Sequence, residues 1–584
     1  MDMSLAPALL SVPPFAARLP VLGKNDCLWN DIVPRPVDRL NDPIVQIVLQ
    51  EQIGGTFWAP DSPVRRRCLV CAPGNLQDAE ILWAAVKVRR PAGDLLLVLP
   101  DTAPHWRKLR ERVVVEGGGA VCLPVNPSSL LGTAQEVFVL AGIVSSLVAL
   151  AALSGLTLWN VSRSGGWPDF PDPDAHGKAV ALLLDYTHYQ CPYTGAPFPV
   201  EAASTLLIEW RNILRQNREI AVCSGMAWWK RKRISEFFST ADSRRPKPLF
   251  RRSVKVIVTA ALRGRGGIAV WSTRMPRGLE TAARSTHLPL YRVEDGFIRS
   301  AGLGSGMLPP ASIIIDRLGV YYDPRTPSDL ESILSTHPLG PDLQARAGRL
   351  VETIVTLAVS KYAHGGASPS LEAPKGRKVI LVPGQVADDL SVLLGGASVG
   401  GNLELLRRVR ESEPEAFIVY RPHPDVDAGH RKGAIADSVI LEFADRICRE
   451  SAMAPLLDAV DEVHTLTSLA GFEALMRCKP VTTYGQPFYA GWGLTRDHEP
   501  VTRRTRQLNR EQLVAATLLL YPRYIDPLTR LPCGPETLIS RFPISELWRP
   551  GLLMRLRRYQ GVMSKMTRKG FQDVSRLLFR SRGP

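Results

Sequence analysis

No cysteine spacing in this chain supports a disulfide framework or a structural zinc site. The nine cysteines are scattered, and the one CxxC, Cys68 to Cys71, lies within an apolar strand with no second pair. Buried thiols in a reducing compartment are therefore expected. No His, Cys, Asp or Glu cluster has metal-ligand spacing, so neither a metal nor another cofactor is expected. The amino terminus, Met1-Asp2-Met3, lacks the basic n-region of a secretory signal, which points to the cytoplasm. Zinc-finger spacing, recognition-helix signals and RNP-type aromatic motifs are missing, so nucleic acid is not an expected partner. Acidic residues are in short supply: 56 Asp and Glu stand against 72 Lys and Arg, a net charge of +16. Such a surface favours nucleotides, acidic sugars or anionic lipid headgroups. One uncharged run, Val137 to Trp159, is long enough to cross a bilayer. It is broken by Gly142, Ser145, Ser154 and Gly155, and reads better as strand 136–140, helix 143–153 and strand 156–161.

What is present is ordinary globular protein, 45% hydrophobic and 22% charged, with room for several domains. Residues 1–60 are irregular and Pro-rich, with a helix near 43–52. Residues 61–215 alternate strands (68–72, 94–100, 120–124) with helices, one of them basic (105–112). Residues 216–364 begin with a helix at 228–238 whose Lys230-Arg231-Lys232-Arg233 reads as a solvated basic face. Strand 268–271 follows and leads into Ser272, Thr273 and Arg274. Strand 288–293 comes next, then two short strands at 312–316 and 320–322. A Gly/Ser/Pro run at 365–374 marks a boundary. Within 375–545, strand 378–383 leads to Gly384-Gln385, and strand 416–420 to Arg421-Pro422-His423-Pro424. Strand 463–465 leads to Thr467-Ser468 and a helix through Arg477, and strand 480–484 to Gly485-Gln486-Pro487. Residues 546–584 form a basic amphipathic tail suited to an anionic membrane face, or a disordered one. The alternation predicts an α/β protein of GT-B-like form: two Rossmann-like lobes with an intervening cleft, preceded by a degenerate extra Rossmann-like half-module.

An internal repeat supports the half-module. Tyr186, Tyr189, Pro192, Thr194, Pro197 and Glu201 recur as Tyr521, Tyr524, Pro527, Thr529, Pro532 and Glu536, every pair 335 residues apart. Gly74-Asn75-Leu76 echoes Gly401-Asn402-Leu403, and Gly166-Trp167 echoes Gly491-Trp492. Fixed-period identity implies duplicated units. The first copy has Leu99-Pro100-Asp101-Thr102 where the second has Arg421-Pro422-His423-Pro424. It kept the fold pattern and lost the polar side chains.

The stretch Tyr291–Gly304 organises the rest. An apolar strand ends in Glu294-Asp295, followed by Gly296, Arg299, Gly302 and Gly304. In open α/β sheets, ligands bind outside the carboxyl ends of strands. A carboxylate there can act as a nucleophile, and an arginine can hold an acidic substrate. Strand alternation places Asp295 toward the cleft and Glu294 on the opposite side.

Several blocks resemble the bacterial capsular-polysaccharide β-Kdo transferases of the KpsC type. They are Tyr291–Gly304, Leu318–Leu330, Ser360-Lys361-Tyr362, Val382–Asp389, Arg421–Pro424, His464–Leu475 and Thr483–Thr495. Together they lie within about 215–545. The resemblance implies transfer of Kdo (3-deoxy-D-manno-oct-2-ulosonic acid) from CMP-Kdo with retention, without a metal, by double displacement. It implies a Kdo linker on a lipid-anchored capsular polysaccharide and a protein peripheral on the inner membrane. Expected partners are the CMP-sugar donor, a lipid-linked or Kdo-terminated glycan acceptor, and capsule assembly or export machinery. Asp295 is the expected nucleophile, with Glu294 as acid/base or structural partner. Arg299 holds the Kdo carboxylate or pairs with Glu294, and Arg274 and Gln486 contact the sugar. His423, Arg421, Thr467, Ser468, Glu473, Gln385 and Lys361 are the expected CMP-binding residues. Two other readings stay open: a non-catalytic capsule assembly or export-coupling protein, and a transferase for another CMP-activated acidic sugar.

Overall fold

The computed structural model describes residues 5–15, 20–36, 41–242, 247–300, 308–360, 369–429 and 431–548. Lys361, Gly302, Gly304 and nearly all of the basic tail lie outside the described residues. The chain divides into two compact units: Met1–Glu219 with Phe238–Pro248, and Ile220–Phe237 with Leu249–Pro584.

The first unit is built on a five-stranded parallel sheet. Its strands are β1 (Cys68–Cys71), β2 (Leu95–Leu99), β3 (Gly119–Cys122), β4 (Glu136–Leu140) and β5 (Thr157–Val161), in the order β3-β2-β1-β4-β5. The inner strands are apolar but for Glu136 at the start of β4, the composition of a parallel sheet covered on both faces. The helix Leu76–Arg89 starts where the Asn75 side chain accepts the Asp78 N–H, and it buries Ala79, Leu82, Trp83 and Val86. The uncharged run folds as β4, a helix at Ser146–Leu153 and β5. No helix among the described residues is long and apolar enough to cross a membrane. Cys68 and Cys71 are free thiols on β1, each pushed up to about 12 by burial. A helix at Pro43–Gln50, capped by Asp42, belongs to the same unit.

The second unit holds two sheets. One comprises β6 (Ile220–Ser224), β7 (Leu249–Phe250), β8 (Gly267–Trp271), β9 (Leu290–Asp295) and β10 (Ser312–Asp316). The other comprises β11 (Val379–Pro383), β12 (Phe417–Arg421), β13 (Arg446–Ile447), β14 (Glu462–Thr465), β15 (Val481–Thr483) and β16 (Arg496–Asp497). This second sheet is wholly parallel, in the order β13-β12-β11-β14-β15-β16. The chain then returns to the first sheet as β17 (Pro522–Ile525) and β18 (Pro532–Cys533). That sheet runs β18-β17-β10-β9-β8-β6-β7, parallel from β9 to β7 and antiparallel from β9 to β18. Aromatic rings pack the junction of the two lobes, with Phe297 and Phe488 centroids 4.9 Å apart and Trp492 fully buried. Each such ring contributes roughly 2–3 kcal/mol on leaving water.

The repeat is visible in three dimensions. The first unit's sheet and the all-parallel sheet share the strand order 3-2-1-4-5. Tyr189 donates to the Leu183 carbonyl (2.9 Å) just as Tyr524 donates to that of Leu518 (2.8 Å), and 335 residues separate both members of the pair. Both tyrosines follow a π-helical turn. Two sequence expectations fail. Residues 320–322 form a loop instead of a strand, because tertiary packing directs Tyr321 and Tyr322 toward a cavity. The helix expected at 228–238 begins only at Arg231, after a turn.

Candidate active site

A cavity of about 700 Å³ lies between the lobes of the second unit. The first sheet contributes Trp271 from the end of β8, Thr273, and Glu294 and Asp295 from the end of β9, with Tyr321 and Tyr322 from the loop after β10. The parallel sheet contributes Gln385 after β11, Arg421 and His423 at the end of β12, and Thr467, Ser468 and Glu473 after β14. Nearly every wall thus sits at a strand's carboxyl end. Gly296 allows β9 to close on β10: a Cβ there would meet Ser312 Oγ at 2.2 Å.

Asp295 is fixed from two directions. Lys230 Nζ lies 3.0 and 3.1 Å from its two oxygens, and Arg299 Nε lies 3.0 Å from Oδ2. Lys230 also sits 3.5 Å from the centre of the Trp271 ring. Burial pulls the Lys230 ammonium down to about 8, and the Asp295 charge offsets only part of that fall. Arg299 is wholly buried and also donates to Ser300 Oγ and the Leu308 carbonyl. Both the sugar-carboxylate contact and the Glu294 pair expected for Arg299 therefore give way to a buried brace on Asp295. Lys230 and Arg233, read from sequence as part of a solvated face, are 7% and 6% exposed. The signal for Lys230 was its place: it follows the carboxyl end of β6, where ligand-site residues collect.

Glu294 lines the cavity together with Asp295, not on the opposite side of the strand. Both residues are still paired with β10, so the cavity reaches round the end of β9 and takes in both side chains. Glu294 accepts the Thr273 N–H at 3.0 Å. Burial, then the neighbouring Asp295, push its carboxyl up to about 7.

Across the cavity, His423 Nδ1 accepts the Asp425 N–H at 3.2 Å, which leaves Nε2 as the protonated, donating nitrogen. Burial lowers its pKa, so the ring is neutral at physiological pH. Arg421 donates to the Ser451 carbonyl at 2.9 Å from Nη2. The Gln385 amide is engaged at both ends by Thr467, donating to Oγ1 and accepting the backbone N–H, each at 2.9 Å. It thereby positions Thr467 while itself lining the cavity. Ser468 caps the helix Leu469–Met476 by accepting the Ala470 N–H. Glu473 is 6% exposed and lines the cavity from that helix. Arg274 is exposed outside the cavity lining, and Gln486 points its amide at the Pro500 carbonyl, also outside it. Asp389, Arg431 and Met453 line the cavity without having been singled out in the sequence.

Two Rossmann-like sheets facing one cleft, with the chain returning to the first sheet, define a GT-B-like α/β protein. The family model described as "Capsule polysaccharide biosynthesis protein" matches residues 267–366 and 343–524. The chain is 37% identical over 439 residues to the capsule polysaccharide modification protein LipA of Neisseria meningitidis serogroup A, covering 71% of this chain and 60% of LipA. It is 38% identical over 335 residues to the lipopolysaccharide-processing protein LpsZ of Rhizobium meliloti, covering 57% of this chain and 76% of LpsZ. Among solved structures, Thermosulfurimonas dismutans KpsC, a beta Kdo 2,7 transferase, is 35% identical, covering 56% of this chain and 100% of that one, with a TM-score of 0.46. The chain belongs to the capsule polysaccharide biosynthesis protein family.

Proposed function

We propose that this chain is a retaining glycosyltransferase that takes Kdo from CMP-Kdo and builds the Kdo linker of a lipid-anchored capsular polysaccharide. One observation carries the reading: Asp295 stands in the cleft wall, both oxygens engaged by Lys230 and Arg299, beside a carboxyl, Glu294, that ionises near neutrality. Family membership and the blocks that resemble β-Kdo transferases support the capsule context.

In the first step an Asp295 oxygen attacks the anomeric carbon. The bond from that carbon to the CMP phosphate breaks, and CMP leaves with the electron pair. His423, through Nε2–H, meets the charge gathering on the departing phosphate, with Arg421 and the amino end of helix Leu469–Met476 beside it. These groups neutralise the phosphate without a metal. Forming the sugar ester removes the Asp295 charge, the second of the two causes that raise Glu294 after burial, and so eases its ionisation in the intermediate. In the second step an acceptor hydroxyl attacks the same carbon, the bond to Asp295 breaks, and the hydroxyl proton passes to Glu294. Two inversions give retention. The acceptor is a lipid-linked or Kdo-terminated glycan, and the enzyme works at the inner membrane surface.

Intact-mass spectrometry with CMP-Kdo generated in place tests this. The expected result is a Kdo adduct on the wild type and none on Asp295→Ala. Absence of any adduct, with no CMP released when acceptors are supplied, would point instead to an assembly or export-coupling protein.

A further inference from the structure

Between Asp242 and Glu280 the sequence holds ten Lys and Arg and no acidic residue. The structure gathers part of this run on one face of the second unit. Edge strand β7 leads into Arg251 and Arg252, and then into the helix Val254–Gly264. That helix buries Ile257 and Ala261 against the β6 and β8 side chains Ala221, Val222, Ile268 and Val270. Its other side is unpartnered: Lys255, Val256, Thr259, Leu262 and Arg263 are exposed, with Arg265 just beyond. Leu249, Val256 and Leu262 are 47%, 46% and 51% exposed. Among the described residues, no ion pair forms with Arg251, Arg252, Lys255, Arg263 or Arg265. Elsewhere on the surface, basic helices carry their own counter-ions, as Arg407 and Arg408 do with Glu404.

We infer that this face, Leu249 to Arg265, docks the protein on an anionic lipid bilayer. Unneutralised cations answer a negative surface potential, and interleaved Leu and Val side chains enter the headgroup boundary. A soluble polyanion would use the cations alone and leave the aliphatic groups in water. The placement suits the cleft. Because β6 to β9 are parallel, Arg251 and Arg252 leave β7 at the same end of the sheet where Trp271 and Asp295 meet the cavity. The face would bring the cleft mouth to the membrane, and the inference stands on binding alone, whatever reaction the cleft performs.

Vesicle flotation of the full-length chain tests it, with phosphatidylglycerol-containing and purely phosphatidylcholine vesicles. Wild type is expected to float only with the anionic ones. Each cation near such a surface is worth about fivefold in partitioning, so Arg251→Gln/Arg252→Gln/Lys255→Gln should bind about 100-fold more weakly. Val256→Ser/Leu262→Ser should lose about tenfold. Unchanged melting temperatures show that the variants are folded. Four results would overturn the inference: variants that float like wild type, equal binding to neutral vesicles, complete loss of binding on removing only residues 549–584, or wild-type self-association that the substitutions abolish. A soluble polyanion such as heparin that binds as tightly as the vesicles, with no contribution from Val256 and Leu262, would also overturn it.

Discussion

At the residue scale the site turns on a small cluster of charge. Asp295 carries one negative charge and meets two cations, Lys230 and Arg299. In the proposed reaction that surplus suits a donor whose own carboxylate must come near the attacking one, since two carboxylates otherwise repel. Lys230→Met is expected to slow single-turnover CMP release about 100- to 1,000-fold, the range for losing a preorganised charge in a dry site. Lys230→Arg should restore part of the rate, which a purely structural loss would not permit. Glu294→Gln should accumulate the covalent adduct while transferring it to acceptor at least about 100-fold more slowly, measurable by quenched-flow mass spectrometry. Glu294 also sets a pH dependence of stability. Its carboxyl titrates near 4.5 unfolded and near 7 folded, so between those values the folded state binds more protons. Stability therefore falls as pH rises through that window, by on the order of 3 kcal/mol. Thermal melts of Glu294→Gln from pH 5 to 8 should lack that slope.

At the element scale, the loop after β10 puts Tyr321 and Tyr322 into the cavity, and one buried side chain holds that loop. Asp316, wholly buried at the end of β10, accepts N–H groups from Leu318, Gly319 and Asp329, and the Tyr521 hydroxyl at 2.7 Å. Tyr521 comes from the returning segment that leads into β17, so a single carboxylate joins the cavity loop to the chain's later crossing. Asp316→Ala is expected to cost about 3 kcal/mol in urea unfolding, since it strands several buried donors, and Tyr521→Phe about 1 kcal/mol. A smaller loss for Asp316→Ala than for Tyr521→Phe would contradict this account. Tyr521 was legible in sequence as a repeat position, but its partner Asp316 was not, because nothing local marks contacts so far apart. Residues 320–322 illustrate the converse. Their β-branched and aromatic side chains suggest a strand, yet they pack as a loop because the cavity, not a neighbouring strand, receives them.

At the scale of the whole molecule, two copies of one Rossmann-like plan coexist, and the polar strand-end residues gather in one. The copy in the first unit ends β2 in Leu99-Pro100-Asp101, whereas β12 of the other ends in Arg421-Pro422-His423. Asp295→Ala should therefore abolish donor turnover completely, to below about a thousandth of wild type in CMP release, the scale of losing a nucleophile. Residual turnover well above that would locate a second active cleft in the first unit.

The sequence by itself determined the α/β architecture, the repeat and most of the strand ends that line the cleft. Those features are written locally: apolar runs of strand length, glycines and caps at their ends, and identities at one fixed spacing. It also singled out Asp295, His423, Arg421, Gln385, Thr467, Ser468 and Glu473, all of which stand on the cavity wall, but it turned Glu294 away from the cleft that in fact receives it. Only the tertiary structure decided what each side chain faces. It turned Arg299 inward as a brace, engaged Gln385 with Thr467, left Arg274 and Gln486 outside the lining, and drew Lys230 out of a basic run onto Asp295. The physical reason is that a charge's role depends on its partners and burial, which long-range packing sets, whereas strand and helix periodicity is inscribed residue by residue.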